Sequence, residues 1–146
     1  MKKILLINGP NINLLGKREP DIYGHVTYAE LLLDIKRWSN SLGLETKCVQ
    51  SNHEGVIVDY IQSAMDMFDG IVINPAAFTH TSISIYDCLK AVGIPAIEVH
   101  ISDPTKRETF RHISFAGMAC LKTIKGRGLK GYKEALEFLA DYLKDK

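Results

Sequence analysis

Ile4-Leu5-Leu6-Ile7 is followed by Asn8-Gly9-Pro10-Asn11-Ile12-Asn13-Leu14-Leu15-Gly16-Lys17-Arg18-Glu19-Pro20-Asp21-Ile22-Tyr23-Gly24, a short apolar run giving way to a long polar connection. The run reads as a buried strand, because a continuous apolar stretch this short fits a strand covered on both faces. Connections between a strand and the next helix usually span about two to six residues, so one of this length is expected to carry function. Ile12, Leu14, Leu15 and Ile22 offer the connection packing anchors of its own. Asn8, Asn11, Asn13, Arg18 and Tyr23 then stand on an anchored loop beside a strand end. Such a loop is a site, or the lid of one.

Beyond this loop, Thr27-Tyr28-Ala29-Glu30 forms a capping box, in which hydroxyl and carboxylate satisfy free amides at a helix start. Tyr28, Leu31, Leu32, Ile35, Trp38 and Leu42 recur at helical spacing until Gly43. Leu44 to Gln50 reads as a second strand. Ser51-Asn52-His53-Glu54 opens a helix whose buried stripe is Ile57, Ile61, Ala64, Met65 and Phe68. Ile71-Val72-Ile73 is a third strand ending in Asn74-Pro75-Ala76-Ala77-Phe78-Thr79-His80, and a helix with Ile85, Leu89 and Val92 follows. Ala96 to His100 is a fourth strand, trailed by a polar segment from Ser102 to Arg111. Ala119 to Ile124 reads as a fifth strand, and Tyr132, Ala135, Leu136, Leu139 and Leu143 stripe a last helix.

Five short strands alternating with helices, without repeats or a linker, predict one α/β domain over residues 1–146. The residue count suits a doubly wound, five-stranded parallel sheet; in the flavodoxin-like order, 2-1-3-4-5, strands one and three flank the switch point and strand four lies beside three. Sheets of this kind bind ligands beyond the carboxyl ends of their strands, where strand order reverses. The polar segments after strands one, three and four obey that rule, so three loops should converge on one crevice.

Composition narrows the function classes. Hydrophobic residues make up 46% and charged residues 24% of the chain, the balance of a soluble globular protein. The formal net charge of +1 provides no basic field, so no nucleic-acid partner is expected. No apolar stretch approaches the roughly eighteen residues that span a bilayer, and Met1-Lys2-Lys3 leads into a strand rather than a signal peptide. Cys48, Cys88 and Cys120 are far apart and lack Cys-x-x-Cys spacing, so they read as small buried hydrophobes in a reducing compartment, the cytosol.

Among groups able to bind an anion or a hydroxylated small molecule, Arg18, Arg107, Arg111, Asn11, Asn74 and Ser102 cluster on the three loops. Arginine offers a planar fork of donors suited to carboxylates. Glu98 and His100, two apart on a strand, point to the same face. A carboxylate there can hold the imidazole's tautomer and stabilise its protonated form, keeping an acid available near neutral pH. His80 is a candidate substrate ligand, whereas His25, His53 and His112 have no comparable setting. The histidines lack close metal-ligand spacing, so no metal is inferred. Tyr23 follows Arg18 on the first loop, and a guanidinium beside a phenol favours the phenolate, the form able to act as a base. Gly126-Arg127-Gly128-Leu129-Lys130-Gly131 matches G-x-G-x-x-G, but it follows the last strand, leaving no second strand for a ribose ligand. It reads as a turn and a helix start. These features leave two function classes: an enzyme using acid–base pairs, and a non-catalytic flavodoxin-like module binding a small carboxylate.

Four ordered motifs sharpen the choice. Asn8-Gly9-Pro10-Asn11 through Tyr23-Gly24, Asn74 through Ser82, Glu98-Val99-His100-Ile101-Ser102 and Arg107 through Arg111 resemble type II 3-dehydroquinate dehydratases, over nearly the whole chain. The resemblance implies dehydration of 3-dehydroquinate to 3-dehydroshikimate, a shikimate-pathway step, without a cofactor, in a trimer-based dodecamer of the cytoplasm. It implies that Tyr23 removes the proton next to the ketone, with Arg18 lowering its pKa, and that Asn11 stabilises the enolate oxygen through a water. His100, oriented by Glu98, would protonate the departing hydroxyl. Asn74 and the backbone at Ile101 and Ser102 would hold the carboxylate, His80 and Arg111 would bind hydroxyls, and Asp87 would reach an adjoining subunit's site. Phe78, Tyr86 and Asp103 stand where the family commonly has tyrosine, arginine and asparagine.

Overall fold

The computed structural model describes all 146 residues apart from the side chain of Tyr23. Five strands, β1 (Lys2–Asn8), β2 (Leu44–Gln50), β3 (Gly70–Asn74), β4 (Ala96–His100) and β5 (Lys122–Lys125), form one parallel sheet of order β2-β1-β3-β4-β5. The helices are a single-turn α1 (Pro20–Tyr23), α2 (Tyr28–Ser41), α3 (Glu54–Ser63), α4 (Ile83–Val92) and α5 (Lys130–Tyr142). The expected topology is the observed one.

Strand alternation sorts the core into two layers. Ile4, Leu6, Val72, Ile97, Val99 and Ile124 pack with Leu31 and Ile35 of α2 and with Tyr132, Ala135, Leu136 and Leu139 of α5. Leu5, Ile7, Ile71, Ile73 and Ala96 pack on the other face with Ile57 and Ile61 of α3 and Ile85 and Leu89 of α4. Every residue of β3 and β4 is buried, which explains their unbroken apolar runs and makes Asn74, Glu98 and His100 exceptional. The Thr27 hydroxyl caps α2 by accepting from the Glu30 N–H, and the two side chains bond each other at 3.1 Å. Ser82 does the same for α4 through Ile85 N.

Several boundaries differ from the sequence reading. The fifth strand covers Lys122–Lys125 rather than Ala119 to Ile124, because Ala116–Ala119 forms a 3-10 turn before the chain enters the sheet. That turn folds over Glu98 of the neighbouring strand, and the ladder to β4 starts with Ile97 opposite Lys122. Being an edge strand with one lateral partner, β5 buries only Ile124 and exposes its lysines, which discourages further pairing. In the first loop Ile12 and Leu15 are buried anchors, but Leu14 and Ile22 are exposed. Met65 is also exposed, because α3 ends at Ser63, just before it. Cys88 is buried and Cys48 and Cys120 are half-buried, all three as free thiols.

Asn8 and Asn74 pair at the ends of β1 and β3, and Asn8 pairs with Gln50 at the end of β2. The exit of β1 runs close against β3: Gly9 N–H donates to Asn74 O at 2.7 Å, and a Cβ on Gly9 would lie 2.6 Å from the Pro75 carbonyl oxygen. Only glycine fits there.

Candidate active site

A cavity of about 130 Å³ opens at the carboxyl ends of β1, β3 and β4, the place where strand order reverses. Its wall brings together Asn11 and Arg18 from the first loop, Asn74 from the end of β3, His80 from the segment after it, and His100, Ile101, Ser102 and Arg111 from β4 and beyond. Pro10, Ile12, Ala76, Ala77, Pro104 and Arg107 complete it. The Tyr23 side chain lies outside the described residues; its backbone closes α1, five residues after Arg18. Asp87, exposed on α4, does not line the cavity.

Glu98 is fully buried behind His100. Its Oε2 accepts from His100 Nε2 at 2.8 Å, from Ser114 Oγ at 2.5 Å and from Thr79 Oγ1, while Oε1 accepts from Thr123 Oγ1 at 2.7 Å. Burial is the largest single influence and raises the carboxyl's pKa. The hydrogen bond and charge of His100, with the Ser114 and Thr79 hydroxyls, outweigh it and hold Glu98 down at about 2. The group is therefore an anion at neutral pH. Gly117 makes room for this cage: a Cβ there would sit 2.5 Å from Glu98 Oε1 and 3.0 Å from Ser114 Oγ. Burial, aided by the Glu98 charge, pushes the Cys120 thiol up to about 12, so it is no nucleophile.

His80 bonds the Ile113 carbonyl through Nδ1 at 2.7 Å. A carbonyl only accepts, so Nδ1 carries the hydrogen and Nε2 is left to serve a ligand. Arg111 Nε donates to Glu108 Oε1 at 3.0 Å, which orients the guanidinium at the cavity wall.

Asn74 is held from inside the protein. Its Oδ1 accepts from Ala76 N at 3.0 Å, its Nδ2 donates to the Tyr132 hydroxyl at 2.8 Å, and that hydroxyl donates to Asn8 Oδ1 at 2.7 Å. Asn74 therefore keeps one amide hydrogen for a ligand. Full burial raises the pKa of the Tyr132 phenol against the opposing Asn74 hydrogen bond, so Tyr132 is a structural donor rather than a base. The Gly126–Gly128 turn acts on the fourth strand's exit: Gly126 N–H donates to Ser102 O and Gly128 N–H to Ile101 O, both at 3.1 Å. Across the trans peptide, the Ser102 N–H points opposite the Ile101 carbonyl and hence away from that turn.

Sequence reasoning missed the cage of Thr79, Ser114 and Thr123, the Tyr132 link and the lining role of Ala76, Ala77 and Pro104. The cage carries one sequence signal, a carboxylate inside an otherwise apolar strand, which demands donors from elsewhere.

Fold and site together define a flavodoxin-like α/β enzyme with an imidazole–carboxylate pair and a cationic rim at the carboxyl end of its sheet. A family model described as dehydroquinase class II matches residues 2–140. The 3-dehydroquinate dehydratases of Bacillus cereus (strain AH187) and Bacillus anthracis (strain CDC 684 / NRRL 3495) are 49% identical over 145 residues, covering 99% of this chain and 99% of theirs. The crystal structure of type II dehydroquinase from Butyrivibrio crossotus DSM 2876 superposes with a TM-score of 0.93 at 51% identity, covering 94% of this chain and 97% of that one. That from Propionibacterium acnes gives 0.93 at 43% identity, covering 97% of each. The chain belongs to the class II dehydroquinase family.

Proposed function

We propose that this chain removes water from 3-dehydroquinate to give 3-dehydroshikimate, a step of the shikimate pathway, by way of an enolate. The observation that carries the reading is the caged Glu98–His100 pair opening onto a cavity rimmed by Arg18, Asn11 and Arg111. A non-catalytic carboxylate-binding module has no use for an ionised carboxylate buried behind an imidazole.

In the proposed reaction Tyr23, as phenolate, takes the proton from the carbon next to the ketone, with Arg18 favouring the phenolate. The electron pair moves onto the ketone oxygen, where Asn11 stabilises the enolate through a water. Donors of this kind, aimed beforehand at developing charge, often make the largest catalytic contribution. The enolate then collapses: the carbon–carbon double bond of the enone forms, the carbon–oxygen bond breaks, and His100 gives a proton to the departing hydroxyl, releasing water. With Nε2 engaged by Glu98, Nδ1 is the ring nitrogen that exchanges this proton. Asn74, with the backbone N–H groups at Ile101 and Ser102, holds the substrate carboxylate, and His80 Nε2 and Arg111 take hydroxyls. The first loop closes over the substrate and excludes water.

The assembly proposed is a trimer-based dodecamer, four trimers, in the cytoplasm, with Asp87 reaching an adjoining subunit's site. Support comes from the exposed position of Asp87 away from its own chain's cavity, and from Phe110, Ile113, Met118 and Leu121, large apolar side chains left exposed. The three free thiols suit a reducing compartment.

Enone ultraviolet absorbance on adding 3-dehydroquinate tests the activity, and no turnover by the folded oligomer would overturn it. Tyr23→Phe should abolish most of the rate while substrate still binds. An unchanged rate removes Tyr23 as the base.

A further inference from the structure

Asn11 owes its place to two side chains outside the cavity. Its backbone lies in the left-handed region, at φ 70° and ψ −4°, which a residue with a Cβ adopts only when its surroundings hold it there. Asn11 N–H donates to Asn52 Oδ1 at 3.0 Å. The same Oδ1 accepts from Gln50 Nε2 at 3.1 Å. Gln50 Nε2 also faces Gly9 O at 3.2 Å and Asn13 Oδ1 at 3.3 Å, so its two hydrogens serve three neighbouring acceptors.

Partner chemistry decides both amide orientations. A backbone N–H can only donate, so the atom of Asn52 facing it is the oxygen; a carbonyl can only accept, so the atom of Gln50 facing Gly9 is the nitrogen. Neither residue lines the cavity. Both stand where β2 ends, brought there by the parallel register of Asn8 with Gln50 and by the Ser51 N–H donating to Asn8 O at 3.0 Å. On the opposite side, Gly9 N–H is tied to Asn74 O at the end of β3. The segment from Gly9 to Asn13 is thus gripped by backbone from one neighbouring strand and by side-chain amides from the other.

We propose that Gln50 and Asn52 are positioning residues for Asn11, an amide clamp that holds its left-handed backbone so that its side chain is already aimed when the enolate forms. The proposal rests on the assignment of Asn11 to enolate stabilisation. A donor lowers a barrier most when it needs no reorganisation as charge develops. The clamp supplies that order from two residues that the substrate does not touch. Sheet pairing does not depend on it: the β1–β2 ladder is complete from Lys2–Leu44 to Asn8–Gln50 through backbone bonds.

The experiment is a double-mutant cycle of Asn52→Ala and Asn11→Ala, followed by enone absorbance with 3-dehydroquinate and by thermal unfolding. Asn11→Ala should lower kcat on the order of a hundredfold. Asn52→Ala alone should lower kcat about tenfold, the effect of a small misplacement at the reacting centre, with KM changed less than about twofold and an unfolding midpoint near that of the parent. Added to Asn11→Ala, it should cost nothing further in kcat, because nothing remains to be positioned. A wild-type kcat for Asn52→Ala, or an additive loss in the double variant, overturns the clamp while leaving the role of Asn11 standing. A wild-type kcat for Asn11→Ala overturns that role and the clamp with it. Should Asn52→Ala fail to fold, Gln50→Ala enters the same cycle with the same expected non-additivity, and additivity there overturns the proposal.

Discussion

Replacing Glu98 by Gln should change how stability responds to acid. In the folded chain the carboxyl sits at about 2, against an ordinary 4.5. Above 4.5 both folded and unfolded chains carry the ion, and the stabilisation is fully present. Between 4.5 and 2 the unfolded chain takes up a proton that the folded chain refuses, so stability drains away as pH falls; below 2 both are protonated and nothing remains. At about 1.36 kcal/mol per unit, the whole contribution is about 3 kcal/mol, of which about 2 kcal/mol has gone at pH 3. Glutamine has no proton to gain in this range. Urea unfolding of both proteins at pH 7, 5, 4 and 3, at one protein concentration, should therefore show the wild-type advantage shrinking by about 2 kcal/mol between pH 7 and pH 3. The same substitution removes the anion facing the His100 imidazole, and kcat in the enone assay should fall at least about a hundredfold, the size expected for the proposed general acid without its carboxylate. Unfolding free energies that stay parallel from pH 7 to pH 3 would refute the argument, since they would mean that Glu98 is not held as a buried anion.

Two further substitutions probe the scaffold of the site. Gly117→Ala places a methyl 2.5 Å from Glu98 Oε1; it should cost about 1–3 kcal/mol in denaturant unfolding and lower kcat with the carboxylate displaced from His100. Tyr132→Phe leaves the buried Asn8 Oδ1 and Asn74 Nδ2 without the hydroxyl between them, so stability should fall by about 1–3 kcal/mol, and KM should rise as Asn74 loosens at the cavity wall.

The order of elements was legible because each strand and helix announces itself within a few residues. Ile4 to Ile7 and Ile71 to Ile73 are unbroken because their strands are covered on both faces. Asn11, Arg18, Asn74, His80, His100, Ser102 and Arg111 were legible as residues of converging loops and strand ends because a parallel sheet gathers its strand ends at one edge, and Ile101 through the family resemblance; the structure brings all of them to one cavity. The start of β5 was misread. Ala119-Cys120-Leu121 has strand composition, yet the chain there is still turning over a carboxylate on the neighbouring strand.

The alternation of α and β elements, their two-faced packing and the set of polar loops are written in the chain's local pattern, since periodicity of two or 3.6 is a property of local backbone geometry. Which polar atoms meet is settled only once the elements pack in three dimensions. Thr79, Ser114 and Thr123 come from three separate segments to surround Glu98, and Tyr132 crosses the sheet's end to join Asn8 to Asn74. Gln50 and Asn52 meet Asn11 across some forty residues of chain. Those meetings follow from strand register and crossover handedness, which set neighbours in space that no local pattern encodes.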